Sequence, residues 1–359
     1  MMKKIFVISL LCSACYLSEE IPPDQQIWEY DLPKNQRLDQ ELLLNINNRI
    51  LIQDEAYGTV EGLTIVKNNR LVFENYYSGE LSRSTTKSIG KLGLSITLAA
   101  LGVAIDQRFI SVEDSIHTYL PEYSSIFQAD PTKRNIKVKD VLTHRTGLAW
   151  NEIRFTDNDY EIMKSEDDWL RYFLTKTLFG VGIYNRNTAN GILIARIIQN
   201  ATGRDFNDYV QEELFAPLAI DHPPLEQDAS GNYNGGDGYQ LSMLDFTKIS
   251  YLFLQEGFWE GRTLINSNLV KDALSRQHQF STSFFRNTTG YFWSFMDSNA
   301  QNSSGLDLRD VTYFVGETGQ SIYLVPEENM IITFHSSNFF SPTSQSINLF
   351  FDITNSISQ

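Results

Sequence analysis

A serine and a lysine separated by two residues occur directly before the longest apolar stretch of the chain. The run is Ser84-Thr85-Thr86-Lys87, and the apolar stretch extends from Ile89 to Ile105. In the first turn of a helix, residues three apart lie on one face, with their Cβ atoms about 5–6 Å apart. A desolvated lysine loses its proton more easily and can act as general base towards a serine hydroxyl. We therefore predict that Ser84 is a nucleophile activated by Lys87.

The helix predicted by the apolar stretch would assist this chemistry. Its N-terminus carries unpaired N–H groups and partial positive charge, which stabilise a developing oxyanion. The stretch has no polar face, and Lys91 leaves only about 14 uninterrupted apolar residues, too few to span a membrane. We expect a central helix packed on several sides. Taken alone, however, Ser-x-x-Lys also fits an N-cap serine followed by an exposed lysine.

The elements around this helix predict an α+β fold. Apolar residues at helical spacing indicate an amphipathic helix near 42–50, and another apolar stretch indicates a C-terminal helix near 347–353. Between 110 and 235 the pattern is mostly helical. Strand-like runs near both ends of the chain lie at 62–66, 70–74, 291–295, 310–314, 321–325 and 330–334. We predict one domain over residues 41–355, with an antiparallel sheet that collects both ends, flanking helices and an inserted helical lobe.

The order of motifs along residues 58–340 resembles the serine β-lactamase-related and penicillin-binding-protein-like superfamily. The resemblance extends to its class C β-lactamase, esterase and 6-aminohexanoate-dimer hydrolase branch. It implies a serine hydrolase that carries its nucleophile on a buried central helix and works through an acyl-enzyme. The matching segments are Ser84–Ile89, Gly102–Gln107, Tyr119–Tyr123, Val138–Leu148, Ala201–Gly203, Phe215–Leu218, Gly235–Asp245 and Gly257–Gly261.

The resemblance implies a second catalytic element at the edge of the cleft, a tyrosine followed two residues later by asparagine. Tyr184 occupies that place and would share protons with Lys87 and the leaving group. The residue two positions later is Arg186 rather than asparagine. Asn185 and Asn187 are the alternatives for the missing amide, and a tyrosine packed in the helical lobe is the alternative for Tyr184.

The third element of the superfamily is Lys-Thr-Gly on the strand beside the nucleophile. One register places Glu317-Thr318-Gly319 there with reversed charge, and the other reads the segment as Gly-x-x-Gly-Gln from Gly316. We prefer the second register, in which the Glu317 and Ser84 N–H groups form the oxyanion hole. Neither register supplies the cation with which β-lactamases and D-Ala-D-Ala peptidases hold a substrate carboxylate.

The composition excludes several classes of partner. A net charge of −15 argues against nucleic acid, which requires clustered basic residues. The five histidines lack metal-ligand spacing, and no Gly-rich phosphate loop occurs, so we expect neither a metal nor an organic cofactor. The expected partner is a small-molecule ester or amide.

The N-terminus predicts export. Two lysines precede the short apolar run from Ile5 to Leu11, which is the pattern of a signal peptide over residues 1–15. Cys15 follows Ser-Ala and resembles a lipidated bacterial lipoprotein cysteine, although Cys12 stands where leucine is usual. We expect a linker over 16–40, attachment to a membrane through Cys15, and a periplasmic or outer-membrane location. Plain cleavage near Ala14 and secretion is the alternative.

Together these features favour an exported esterase or amide hydrolase over a β-lactamase or D,D-peptidase. The departures at Arg186 and Glu317 leave one alternative from another class, a catalytically inactive binding protein with the same fold at the cell envelope.

Overall fold

The computed structural model describes residues 28–152, 157–281, 286–297, 305–338 and 342–358. The strands of the described residues are β1 Val60–Lys67, β2 Arg70–Tyr76, β3 Lys87–Ser88, β4 Gln240–Leu241, β5 Phe258–Trp259, β6 Arg262–Thr263, β7 His278–Ser281, β8 Arg286–Thr289, β9 Ser294–Phe295, β10 Thr312–Val315, β11 Ser321–Val325 and β12 Met330–Ser336. The helices are α1 Gln40–Leu51, α2 Gly93–Asp106, α3 Ser124–Ala129, α4 Val138–Leu142, α5 Asp159–Lys164, α6 Trp169–Thr175, α7 Ala189–Thr202, α8 Phe206–Val210, α9 Met243–Leu254, α10 Ser267–Ala273 and α11 Pro342–Thr354.

One large sheet joins the two ends of the chain. Its eight strands lie in the order β2-β1-β12-β11-β10-β9-β8-β7, and neighbouring strands pair antiparallel. The turn between β1 and β2 places Asn68 and Asn69 at φ 51° and 60°, the left-handed conformations of a tight hairpin. The predicted α+β class, with both ends collected in one antiparallel sheet, is confirmed.

Helices cover both faces of the sheet. On one face α1 and α11 pack against each other, and their apolar side chains share a core with Tyr323, Val325 and Ile332. The alternate strand residues, including Ile322 and Leu324, belong to the larger core on the other face. There α9 packs against β1, β11 and β12. The central strands are therefore buried on both sides.

The segment before α1 also packs on the sheet. From Trp28 onward the described chain contacts the domain: Trp28 is buried with Val66 and Leu71, and Leu38 is buried beside Ile357. The predicted linker over 16–40 is thus in contact with the domain over at least part of its length.

Helix α2 is the centre of the larger core. Every residue from Gly93 to Ala104 is buried, and the helix packs against α7, α9 and a π-helical turn at Gln211–Phe215. It begins at Gly93, after a 3-10 turn at Gly90–Leu92, rather than near Ile89. Within the described ranges, no helix has the length and apolar character needed to cross a membrane.

The Gly-rich segment at 235–238 lets α2, α7 and β4 approach closely. The Thr97 hydroxyl donates to the Gly235 carbonyl at 2.6 Å. A Cβ at Gly93 would lie 2.8 Å from the Gly236 carbonyl oxygen. A Cβ at Gly191 on α7 would collide with the Gly235 carbonyl oxygen and lie 2.6 Å from the Gly236 Cα. The segment is followed by β4 at Gln240–Leu241, which pairs with β3.

We predict that Gly191→Ala destabilises the protein, because the added methyl group meets backbone atoms that cannot rotate away. The expected loss is about 1–3 kcal/mol in the free energy of unfolding, measured by urea denaturation. Gly79→Ala is the matched control, since a Cβ there meets nothing within 4 Å. Equal stability of the two variants would contradict the proposed close packing.

Candidate active site

A short strand and a tight turn lead the chain into α2. In β3, Ser88 lies opposite Gln240 of β4, and the next N–H, from Ile89, donates to the Tyr239 carbonyl at 3.2 Å. Alternate N–H groups of a strand point to opposite sides, so the Ser88 N–H points away from β4. Ser88 is exposed, and Lys91 follows it three residues later in the 3-10 turn.

Gly90, between Ser88 and Lys91, has a conformation and a neighbour that require glycine. Its φ is 55°, and a Cβ there would lie 2.8 Å from Nε2 of Gln320. The turn before α2 therefore rests against the loop that joins β10 to β11.

Lys91 points into a cavity of about 430 Å³. The cavity lies between the start of α2, the loop after β10 and the chain segments before α5 and α7. Its lining residues are Lys91, Trp150, Asn151, Glu152, Asn185, Arg186, Val315, Gly316, Glu317 and Thr343.

Two carboxylates bind the ammonium group of Lys91 from different sides of this cavity. Its Nζ lies 2.7 Å from Oε1 of Glu152 and 2.5 Å from Oε1 of Glu317. The Glu152 side chain is only 6% exposed, whereas that of Glu317 is 53% exposed. Solvent screens the second ion pair much more than the first.

Glu152 is held by further donors. Its Oε2 accepts from the Trp150 indole N–H and from the Thr188 N–H, both at 2.8 Å, and its Oε1 accepts from the Thr188 hydroxyl. Thr188 directly precedes α7, so the carboxylate also lies at the positive end of a helix of 14 residues. These contacts fix the position of the buried carboxyl group.

Hydrogen bonds to Gln320 hold the loop after β10 in shape. Oε1 of Gln320 accepts from the Thr318 N–H at 3.1 Å and from its hydroxyl at 2.6 Å, and the Gly316 N–H donates to the Gln320 carbonyl. Within the part of the chain that the structure describes, the Glu317 N–H has no hydrogen-bond acceptor. It is available to a ligand at the edge of the cavity.

The sequence matches a known family over most of its length. The protein-family model described as beta-lactamase matches residues 59–350 of this chain. The chain belongs to the beta-lactamase family. Its architecture is accordingly that of the β-lactamase and transpeptidase fold, the fold of serine hydrolases.

Other proteins match this beta-lactamase family member at low sequence identity. An uncharacterized protein of Alkalihalophilus pseudofirmus is 22% identical over 77% of this chain and 84% of its own. The structure of EstCE1, a hydrolase with promiscuous acyltransferase activity, is 14% identical, has a TM-score of 0.70, and matches 89% of this chain and 99% of its own. A class C β-lactamase from Rhodobacter sphaeroides is also 14% identical, with a TM-score of 0.62 over 87% of this chain and 97% of its own.

The beta-lactamase family pattern Ser-x-x-Lys occurs twice in this chain, and the structure separates the two copies. Ser84 is exposed in a turn before β3, and Lys87 lies in β3, where its Nζ pairs with Glu61 of β1. The expected placement of Ser84 and Lys87 on the first turn of α2 is wrong. The second copy, Ser88-Ile89-Gly90-Lys91, leads into the helix instead. The apolar stretch begins at Ile89, within this second copy, and that adjacency in sequence is the signal that could have identified Ser88.

Tyr184 does not take part in the lysine contacts that the structure records. Its ring packs between His144 and His278, with centroid distances of 6.1 and 5.9 Å, and burial raises the pKa of its phenol. Lys91 forms ion pairs with two carboxylates, and Lys87 forms an ion pair with Glu61. The predicted sharing of protons between Tyr184 and Lys87 has no support in these contacts.

The two asparagines beside Tyr184 have different positions. Asn185 lines the cavity and donates to the Trp150 carbonyl at 2.7 Å. Asn187 is buried, accepts from the Asn190 N–H at 2.9 Å, and donates to the Asn185 carbonyl at 3.1 Å. Asn187 is therefore committed to the start of α7. Of the predicted binding residues, Gly316 and Glu317 do line the cavity.

His144 lies under this start of α7 as a neutral ring. Its Nδ1 accepts from the Asn190 amide at 3.0 Å and from the Asn187 N–H at 3.4 Å. Burial, with smaller contributions from the charges of Arg186 and Lys91, lowers the pKa of His144 from 6.5 to about 3. Both hydrogen bonds use Nδ1 as acceptor, so it is the uncharged imidazole of His144 that positions α7.

This depressed pKa predicts that acid weakens the fold. Below pH 6.5 the unfolded state binds a proton that folded His144 does not bind, so its contribution is present above that pH and is lost as the pH falls towards 3. Each such group reduces stability by up to about 1.4 kcal/mol per pH unit. Urea unfolding at pH 7, 6 and 5 should therefore give a flatter pH dependence for His144→Gln than for the wild type. Parallel curves would contradict the buried neutral histidine.

Proposed function

We propose that this serine hydrolase acts on a small ester or amide through an acyl-enzyme on Ser88, with Lys91 as general base. The supporting observation is that an exposed serine ends β3 three residues before a lysine that reaches into the cavity. The competing assignment is Ser84 with Lys87, which has the same spacing, but Lys91 lines the cavity and Lys87 does not.

The proposed reaction uses groups around the start of α2. The Ser88 Oγ attacks the substrate carbonyl carbon while its proton passes to the Lys91 amine. The N–H groups of Ser88 and Glu317 donate to the oxyanion. When the tetrahedral intermediate collapses, Lys91 returns the proton to the leaving alcohol or amine. Water then attacks the acyl-enzyme, giving the carboxylic acid and free Ser88.

The charges beside β10 and around Lys91 support a substrate without a carboxylate near the reacting bond. Glu317, rather than a cation, follows β10, and Lys91 already has two carboxylate partners. Arg186 lies over the Phe314 ring at 5.4 Å.

One observation supports the alternative of a catalytically inactive binding protein. The Lys91 Nζ is engaged by two carboxylates, at 2.7 and 2.5 Å, and these contacts compete with a hydrogen bond to Ser88. For hydrolysis, substrate must displace the exposed carboxylate of Glu317. The labelling experiment below separates the two functions.

We predict that a fluorophosphonate probe labels Ser88. Peptide mass mapping of the full-length protein should place the adduct on Ser88 in the wild type and in Ser84→Ala, and should find none in Ser88→Ala. Lys91→Ala should label at least about 100-fold more slowly, within the usual range for loss of a general base, whereas Lys87→Ala should label at a rate close to that of the wild type.

Comparing the Ser84 and Lys87 variants with the Ser88 and Lys91 variants shows which serine is the nucleophile. An adduct on Ser84 would support the competing assignment, and no adduct on a folded protein would support the inactive binding protein. Neutral nitrophenyl esters and anilides, tested with the same variants, then measure turnover. Faster turnover of a penicillin than of any neutral ester would contradict the proposed substrate class.

We also propose that the protein is exported and anchored to the cell envelope through Cys15, which lies outside the described residues. The proposal is supported by the signal-like sequence of residues 1–15. A bacterial host grown with radiolabelled palmitate should incorporate label into the wild type and Cys12→Ser, but not into Cys15→Ser. Equal labelling of the two cysteine variants would contradict it.

A further inference from the structure

Glu152 is the buried carboxylate nearest to the proposed general base among the described residues. It binds Lys91 through Oε1, and Oε2 is fully engaged by Trp150 and Thr188. We infer that Glu152 is a positioning residue for catalysis: it orients Lys91 and stabilises the ammonium group that forms when Lys91 takes the Ser88 proton. The inference rests on the proposed function, because it assigns the third member of a Ser88–Lys91–Glu152 unit.

The contacts of Glu152 suit this role better than those of any other group that faces Lys91. A nucleophile and its base usually require a third group that fixes the base. Tyr184, the expected third group, packs instead between His144 and His278. The Glu152 carboxylate is fixed by an indole N–H, a backbone N–H and a hydroxyl, and it lies at the N-terminus of α7.

Glu317 binds the same Nζ atom but differs in its surroundings. Its side chain is half exposed, and neighbouring polar atoms of the loop bond to Gln320 rather than to the Glu317 carboxylate. A substrate entering the cavity can displace it at small cost, because exposed ion pairs contribute little. Glu152 cannot be displaced without leaving a buried charge unpaired. The two carboxylates therefore have separate roles.

The proton balance of the reaction leaves Glu152 ionised throughout. In acylation the proton moves from Ser88 Oγ to Lys91 Nζ and then to the leaving group. In deacylation it moves from water to Lys91 and then to Ser88 Oγ. Glu152 gains no proton at any step and stabilises the positive charge each time Lys91 carries it. Arg186, which also lines the cavity, opposes that charge.

The test is the pH profile of the fluorophosphonate labelling rate at Ser88. In Glu152→Gln the amide no longer stabilises the protonated amine, so the midpoint should move to lower pH by about one unit or more. The maximal rate should fall at least about tenfold, because the base is weaker and less well oriented. Glu152→Asp, which retains the charge, should keep the midpoint close to that of the wild type.

Glu317→Gln is the matched control, since it removes one carboxylate from the same nitrogen. Its screened position predicts a smaller shift of the midpoint and a smaller loss of rate than Glu152→Gln. Thermal unfolding of each variant separates misfolding from chemistry. If Glu152→Gln does not fold, Trp150→Phe removes one donor from Oε2 and should slow labelling without changing the labelled residue.

The outcomes distinguish this inference from the proposed function. Labelling of Ser88 that depends on Lys91 but has the same pH profile in Glu152→Gln and wild type would overturn the positioning role alone. A larger effect of Glu317→Gln than of Glu152→Gln on the midpoint and the labelling rate would also overturn the positioning role alone. Absence of labelling at Ser88 in the folded wild type would instead overturn the proposed function, and the inference with it.

Discussion

Every residue of α2 from Gly93 to Ala104 is buried, so other elements must enclose this helix on all sides. It packs against α7, α9 and the π-helical turn at Gln211–Phe215, and its apolar side chains share a core with Ile322 and Leu324 of the sheet. Its C-terminal end reaches the surface at Asp106, and its N-terminus is reached from solvent through exposed Ser88 and the turn at Gly90–Leu92. The requirement to bury an apolar helix therefore also determines where a chemically active serine and lysine can meet a substrate.

The charge of Lys91 links this hydrophobic constraint to the chemistry. A partly buried ammonium group requires an anion, and the burial of Glu152 requires donors in turn. Those donors come from Trp150 and from Thr188, which starts α7, the helix that packs along α2. The packing of α7 against α2 and the ion pair between Glu152 and Lys91 therefore stabilise each other where the two helices begin. The exposed carboxylate of Glu317 completes the resting site on the solvent side.

Periodicity alone predicted much of the fold. The β1–β2 hairpin, the strands at 321–325 and 330–334, and the central position of α2 all follow from apolar spacing and turn residues. The position of the proposed nucleophile did not follow, because one Ser-x-x-Lys run directly succeeds another and a left-handed Gly90 delays the start of the helix. Glu152 carried no local signal, since its contacts with Lys91 and Thr188 join residues distant in sequence.

The identity of the nucleophile is tested most directly by a crystal structure of the protein inactivated with a small phosphonate ester. We predict a covalent bond from Ser88 Oγ to phosphorus, with a phosphonyl oxygen within hydrogen-bonding distance of the Ser88 and Glu317 N–H groups. We also predict that Lys91 Nζ remains in contact with Glu152. A phosphonate attached to Ser84, or a protein without any covalent adduct after complete exposure to the reagent, would contradict the assignment of Ser88 as nucleophile.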